Sequence, residues 1–175
     1  KSDRVIRPAN FPIDAPGPEL SIAQARDGTP VAVFTVLGRT YMKPVDCPFQ
    51  ASERVLERIG ISARVIIVDI HAEATSDKQL LGRYLDGRVS AVLGTHTHVS
   101  TADDQILKKG TAFQCDVGMT GPHDSIIGRR YDRVLSTTLN FVPTYFDVAT
   151  GDTRLSATLV TIDPEPYAAA VEKAK

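Results

Sequence analysis

Residues 64–98 read RVIIVDIHAEATSDKQLLGRYLDGRVSAVLGTHTH, and the alternation of patterns within them decides the fold class. Arg64 to Ile70 is a short β-branched apolar run, the mark of a buried strand. Leu80, Leu81, Tyr84 and Leu85 then recur at helical spacing from Ser76 to Leu85, with Ser76 placed to cap the helix. Asp86-Gly87 turns the chain, and Val89 to Leu93 is strand-like again. Strand, helix and strand in succession predict a right-handed crossover between parallel neighbours, and hence α/β layering around a central sheet.

The same stretch carries the candidate chemistry. Its first strand runs out at His71 and its second at Gly94-Thr95-His96-Thr97-His98. The chain holds four histidines, and three of them stand at these two ends. Neutral imidazole is the commonest metal ligand. Functional groups in α/β sheets gather at the carboxyl ends of strands, where loops converge. A single histidine at a strand end is most often solvated or capping. Three at matching positions predict a metal site. On extended backbone His96 and His98 point the same way, so one metal takes both or two metals take one each. Asp69 shares the face of His71 if the strand continues. Glu73 and Asp103-Asp104 are candidates to orient imidazoles. His123, in Gly121-Pro122-His123-Asp124, reads as a loop residue.

Outward from this unit, Val31 to Leu37 predicts another buried strand. Gln50 to Ile59 predicts a helix, with Val55, Leu56 and Ile59 on one face and Gly60 as its stop. Thr111 to Val117 reads as a short strand and Gly118 to Pro122 as a loop. Tyr145 to Ala149 and Arg154 to Ile162 flank Thr150-Gly151-Asp152-Thr153 and predict an antiparallel hairpin. Pro166 to Lys175 predicts a short terminal helix. No repeat, low-complexity tract or linker divides the chain, so residues 1–175 read as one domain.

Composition narrows the function classes. The chain has 175 residues, enough for one substantial core. A net charge of −1 gives no general attraction to nucleic acid or membrane surfaces. No apolar run approaches the roughly 20 residues that span a bilayer, and no signal peptide is visible. Cys47 and Cys115 match no zinc-binding spacing and are expected to be reduced thiols, which places the chain in the cytoplasm. It opens at Lys1 and runs through Arg7-Pro8-Ala9-Asn10-Phe11-Pro12, which reads as the middle of a protein.

Three histidines do not complete a two-metal site, which generally needs a bridging carboxylate and further oxygen ligands. Either the site is mononuclear and histidine-rich, or the remaining ligands lie upstream of Lys1. Within the chain they would be sought among Asp69, Glu73, Asp103 and Asp116.

Three runs resemble one family closely: Val68 to Lys78, Leu85 to Asp103, and Asp116-Val117-Gly118-Met119-Thr120-Gly121-Pro122. So do Arg7-Pro8-Ala9-Asn10, Gly38-Arg39 and Cys47-Pro48-Phe49. Together they resemble the bacterial YmdB-like metallophosphoesterases, a branch of the calcineurin-like superfamily. Gly94-Thr95-His96-Thr97-His98 stands where the superfamily has its terminal Gly-x-His-x-His motif. His71 stands where it has an isolated histidine ligand.

The resemblance implies a calcineurin-like α/β sandwich, two mixed sheets flanked by helices, of which this chain is the carboxyl-terminal two-thirds. It implies a dinuclear centre in which His71 and His96 ligate one metal and His98 the other, with iron or manganese as occupants. The family's upstream ligands and its general-acid histidine have no counterpart here and are expected before Lys1. The implied activity is metal-dependent hydrolysis of 2′,3′- or 3′,5′-cyclic nucleotides, with little turnover by this portion alone. Gly118 and Thr120 are expected to line the substrate cleft, since backbone near glycine approaches phosphate closely. The expected partner is a small phosphodiester. A homo-oligomer is compatible with the resemblance; a membrane or a stably bound nucleic acid is not expected. Two other readings are a non-catalytic regulatory module that binds a nucleotide or a partner, and a mononuclear hydrolase of the amidohydrolase kind. The amidohydrolase kind places His-x-His near the start of a barrel, which fits this chain poorly.

Overall fold

The computed structural model describes residues 5–163 and, as backbone, 168–174. Its centre is a six-stranded sheet in the spatial order β1-β2-β3-β4-β6-β5, formed by Ser21–Gln24, Pro30–Leu37, Val65–His71, Ala91–Thr95, Ala112–Gln114 and Gln105–Ile106 respectively. β2, β3, β4 and β6 run parallel, and the short edge strands β1 and β5 are antiparallel to their neighbours. The expected α/β unit is therefore present: β3, helix α2 (Thr75–Leu85) and β4 form a crossover between adjacent parallel strands.

Alternation along the strands sorts the two faces. Ala32, Phe34, Val36, Ile66, Val68 and Ile70 are buried on one face. They share a core with Ala51, Val55 and Ile59 of helix α1 (Pro48–Ile59) and with Leu81 and Leu85 of α2. α1 starts at Pro48, whose fixed φ suits a first helical turn, and ends as Gly60 returns its N–H to the Leu56 carbonyl. The other face of the sheet carries Ile67, Leu93 and, near the edge, Thr35, Asp69 and His71. Val160 packs there beside Ala91 and Ala112. No helix among the described residues is long and apolar enough to cross a membrane.

Several expectations are corrected, most of them after residue 116. α2 begins at Thr75 with Ala74 before it, so Ser76 lies inside the helix and caps nothing. The loop expected at Gly118 to Pro122 runs into a strand, β7 (Gly121–Asp124), which holds His123. The expected hairpin does not form. Gly151–Arg154 (β8) pairs with β7, while Ala157–Ile162 (β9) pairs with Ala168–Ala174 (β10). Of the first expected arm, only Val148 makes a bridge, to Arg129. The terminal helix is likewise replaced over its described part by β10. The rest of that helix, Pro166, Tyr167 and Lys175, lies outside the described residues. Local turn and helix signals lose here to pairing between distant segments. A third helix, α3 (Tyr131–Asn140), was not foreseen.

Candidate metal centre

The parallel register puts His71 directly opposite Thr95. The chain therefore leaves β3 and β4 at the same edge, and the two loops meet. Nδ1 of His96 lies 3.0 Å from Nε2 of His71, with the rings edge to face at 88°. Glu73 places Oε2 3.0 Å from Nε2 of His96. His98 turns elsewhere: it is exposed, and its Nδ1 donates to the Ile127 carbonyl at 2.9 Å. No hydrogen bond joins it to the other two rings among the described residues.

Backbone conformation is the reason the pair diverges. His96 has φ 108° and His98 φ 66°, a region that non-glycine residues enter only when their surroundings impose it. The expectation of extended backbone with both side chains aligned is thus corrected. The anchor of this turn is Asp116, in the segment after β6. Its Oδ2 accepts the Thr97 N–H at 2.9 Å, the Thr97 hydroxyl at 2.8 Å and Lys78 Nζ at 3.1 Å. Its Oδ1 accepts the Gly118 N–H at 2.9 Å. The Lys78 and Asp116 side chains are 2% and 1% exposed, so the pair is buried. Burial alone would raise the Asp116 carboxyl. The Gly118 and Thr97 N–H groups, the Thr97 hydroxyl and Lys78 outweigh it and hold the group below its ordinary value.

Gly94 makes this closure sterically feasible. A Cβ there would stand 1.7 Å from the Cys115 carbonyl oxygen, so only glycine lets β4 approach the segment carrying Asp116. Cys47 and Cys115 are both free. Burial, and then Asp103, push the Cys115 thiol up to about 12.

His71 is partly buried. Desolvation and the facing His96 ring pull it below the ordinary imidazole value, against Asp69, which favours its charge. The shift favours neutral imidazole, the form that ligates metals. Imidazole nitrogens sit roughly 2.1 Å from a divalent ion, so two of them at a right angle stand about 3.0 Å apart. His71 Nε2 and His96 Nδ1 have that separation. The pair fits two ligands of one ion. No group of three or more His, Cys, Asp or Glu side chains able to hold a metal occurs among the described residues.

The carboxylates considered as further ligands are engaged elsewhere, apart from Glu73. Asp69 accepts the hydroxyls of Thr95 and Thr35 at 2.7 and 2.6 Å. Asp103 accepts the Cys115 N–H at 3.2 Å, and Asp116 holds the histidine turn. Gly118 is joined to that turn through Asp116, but the bond occupies the N–H expected to face a phosphate. Thr120 is exposed. Sequence reasoning missed Lys78, Thr95 and Thr35. Thr35 and Thr95 stand on the same strand face as Asp69 and His71, a signal that appears only once the parallel register is known.

A family model described as "YmdB-like protein" matches residues 1–173. A 2′,3′-cyclic-nucleotide 2′-phosphodiesterase of Bacillus subtilis (strain 168) is 45% identical over 161 residues, which cover 92% of this chain and 61% of that protein. The crystal structure of a hypothetical protein from Thermus thermophilus superposes with a TM-score of 0.91 at 42% identity, over 97% of this chain and 66% of that one. A Mycoplasma pneumoniae crystal structure described as a novel phosphatase gives a TM-score of 0.89 at 26% identity, over 99% of this chain and 63% of that one. The chain thus spans less than two-thirds of the length of each of these relatives. By its match along nearly all of its own length, it belongs to the YmdB-like protein family.

Proposed function

We propose that this chain supplies one side of the active site of a metal-dependent phosphodiesterase acting on cyclic nucleotides. The observation that carries the reading is the 3.0 Å approach of His71 Nε2 to His96 Nδ1 at the carboxyl edge of the sheet. His71 and His96 would hold one ion, and His98, with its Nε2 left open by the Nδ1 bond to Ile127, would reach a second. Iron and manganese both suit imidazole and oxygen ligands. Such ions, when bound, lower the pKa of water and offset charge on phosphoryl oxygens. The chain's own contribution is placement: Asp116 and Lys78 fix the turn through Thr97, and Gly94 brings β4 against it. The exposed Thr120 hydroxyl is proposed to meet the substrate.

The Bacillus subtilis relative's name favours 2′,3′-cyclic nucleotides as the substrate class, with 3′,5′-cyclic nucleotides as the extension to test. The bridging carboxylate and general acid are proposed to come from the part of the relatives' length that this chain does not span. Alone, it is expected to turn over little or nothing.

The test assays Mn²⁺ binding by the chain, and hydrolysis of 2′,3′- and 3′,5′-cyclic AMP by a version extended to the relatives' full length. Activity in the extended protein that is lost in His71→Ala and His98→Ala supports the reading. Full turnover by residues 1–175 alone would overturn the split site. Cyclic-nucleotide binding without turnover in the extended protein would favour a regulatory module.

A further inference from the structure

Asp69, Thr95 and Thr35 lie beside the histidine pair, yet the proposed chemistry assigns them nothing. β2, β3 and β4 place them by register: Thr35 is opposite Asp69, and Thr95 is opposite His71. Asp69 is two residues before His71, so both project from the same face of β3. The contacts then run in a line. Thr35 donates its hydroxyl to Asp69 Oδ2 at 2.6 Å, and Thr95 donates its hydroxyl to Asp69 Oδ1 at 2.7 Å. Nδ1 of His71 lies 3.0 Å from the same Thr95 oxygen.

A hydroxyl has one proton, and an ionised carboxylate can only accept. With the Thr95 proton directed at Asp69, the Thr95 oxygen offers a lone pair to His71, which calls for a hydrogen on His71 Nδ1, just as the Glu73 carboxylate calls for one on His96 Nε2. The opposite tautomer would take the Thr95 proton and leave two oxygen lone pairs facing each other at 2.7 Å. Thr35 closes the remaining freedom by occupying the second Asp69 oxygen.

We propose that Asp69 acts through Thr95 as a positioning relay that locks His71 in its Nδ1–H tautomer and turns an unprotonated Nε2 toward His96 and an incoming metal. This rests on the metal-site reading above, but the tautomer itself exists without a metal. Partners of this kind orient a ligand and raise its basicity, and their loss typically lowers metal affinity about 10–100-fold. The relay differs from a direct carboxylate–histidine contact in that one hydroxyl transmits the constraint. Thr95→Ser should therefore preserve it and Thr95→Val should break it.

The experiment records imidazole ¹⁵N–¹H correlations of the metal-free chain, followed by calorimetric titration with Mn²⁺. The expected result is a protonated His71 Nδ1 in the parent and in Thr95→Ser, and a mixture of tautomers in Thr95→Val. Mn²⁺ affinity should fall about 10–100-fold in Thr95→Val and Asp69→Asn, and stay near the parent value in Thr95→Ser. The backbone amide spectrum of each variant reports whether it is folded. If Thr95→Val is folded and keeps both the Nδ1–H tautomer and the parent affinity, the relay is overturned. A parent His71 protonated at Nε2 overturns it as well. A parent with the Nδ1–H tautomer but no Mn²⁺ binding supports the relay and counts against the metal reading instead.

Discussion

The sheet with its two core helices and the segment from Tyr131 to Val148 are built from similar residues and behave in opposite ways. In the first, helical spacing in α2 buries Leu81 and Leu85. In the second, α3 places Tyr131, Leu135 and Leu139 along one stripe, yet none of its residues is buried. Phe141, Val142 and Tyr145 beyond it are also exposed. Amphipathic spacing states that a helix has an apolar face. It does not state what meets that face. The parallel sheet supplies a partner within the same 60 or so residues of chain, a typical scale for consecutive βαβ units, whereas no residue of α3 is buried.

The sharpest way to break this comparison is to remove Asp116, where buried packing and the histidine turn coincide. Asp116→Ala strands the Lys78 ammonium in the interior, and losing one member of a buried pair costs about 3–5 kcal/mol. Urea unfolding measures that loss. The same variant should release the φ constraint on His96, visible as broadened His96 and His98 resonances in the folded fraction.

Leu81→Ala and Leu139→Ala form a matched pair across the two regions. Leu81 is 1% exposed in the shared core, so its truncation should cost about 2–5 kcal/mol through lost transfer energy and a cavity. Leu139 is 68% exposed, and its truncation should stay within about 0.5 kcal/mol. Equal losses in urea unfolding would show that α3 packs in solution against something that buries its stripe.

An intermediate effect is expected at the surface of the core region. Arg88 and Tyr84 hydrogen bonds hold Glu53 down to about 2 from 4.5. A depressed carboxylate stabilises the fold above its unfolded value, and the contribution is lost as pH falls from about 4.5 toward 2. Because both charged partners are more than a third exposed, solvent limits the effect to below about 1 kcal/mol. Glu53→Gln should lower the melting temperature slightly at pH 7 and match the parent near pH 2. A constant difference across that range would remove the ion pair as its cause. Smallest of all is the Leu139→Ala effect, and it is the one that tests whether the exposed stripe is idle.

The legible part of the sequence is the part whose signals are local. Val31–Leu37 and Arg64–Ile70 read as strands because they are short β-branched apolar runs, and Gly60 marked its helix end because a stop needs only neighbouring carbonyls. The carboxyl-edge position of His71 and His96 followed from strand order alone. The misread hairpin and terminal helix share one cause. Thr150-Gly151-Asp152-Thr153 has turn residues, but β8 pairs with β7 some 30 residues earlier in the chain, at Gly121–Asp124. The alanine-rich terminal segment favours helix, yet its backbone pairs with β9. Local propensity carries no information about which remote strand offers hydrogen bonds.

The sequence by itself determined the α/β class, the strand-ending histidines and the family, because these depend on residue types at short fixed spacings. Only the tertiary structure decided how the site is wired. Positive φ at His96 and His98 divides a pair that extended backbone would have aligned. Asp116 holds that turn from the segment after β6, and the register of three parallel strands lines up Thr35, Asp69, Thr95 and His71. Those are relations between segments far apart in the chain, and they come into existence only when the sheet closes.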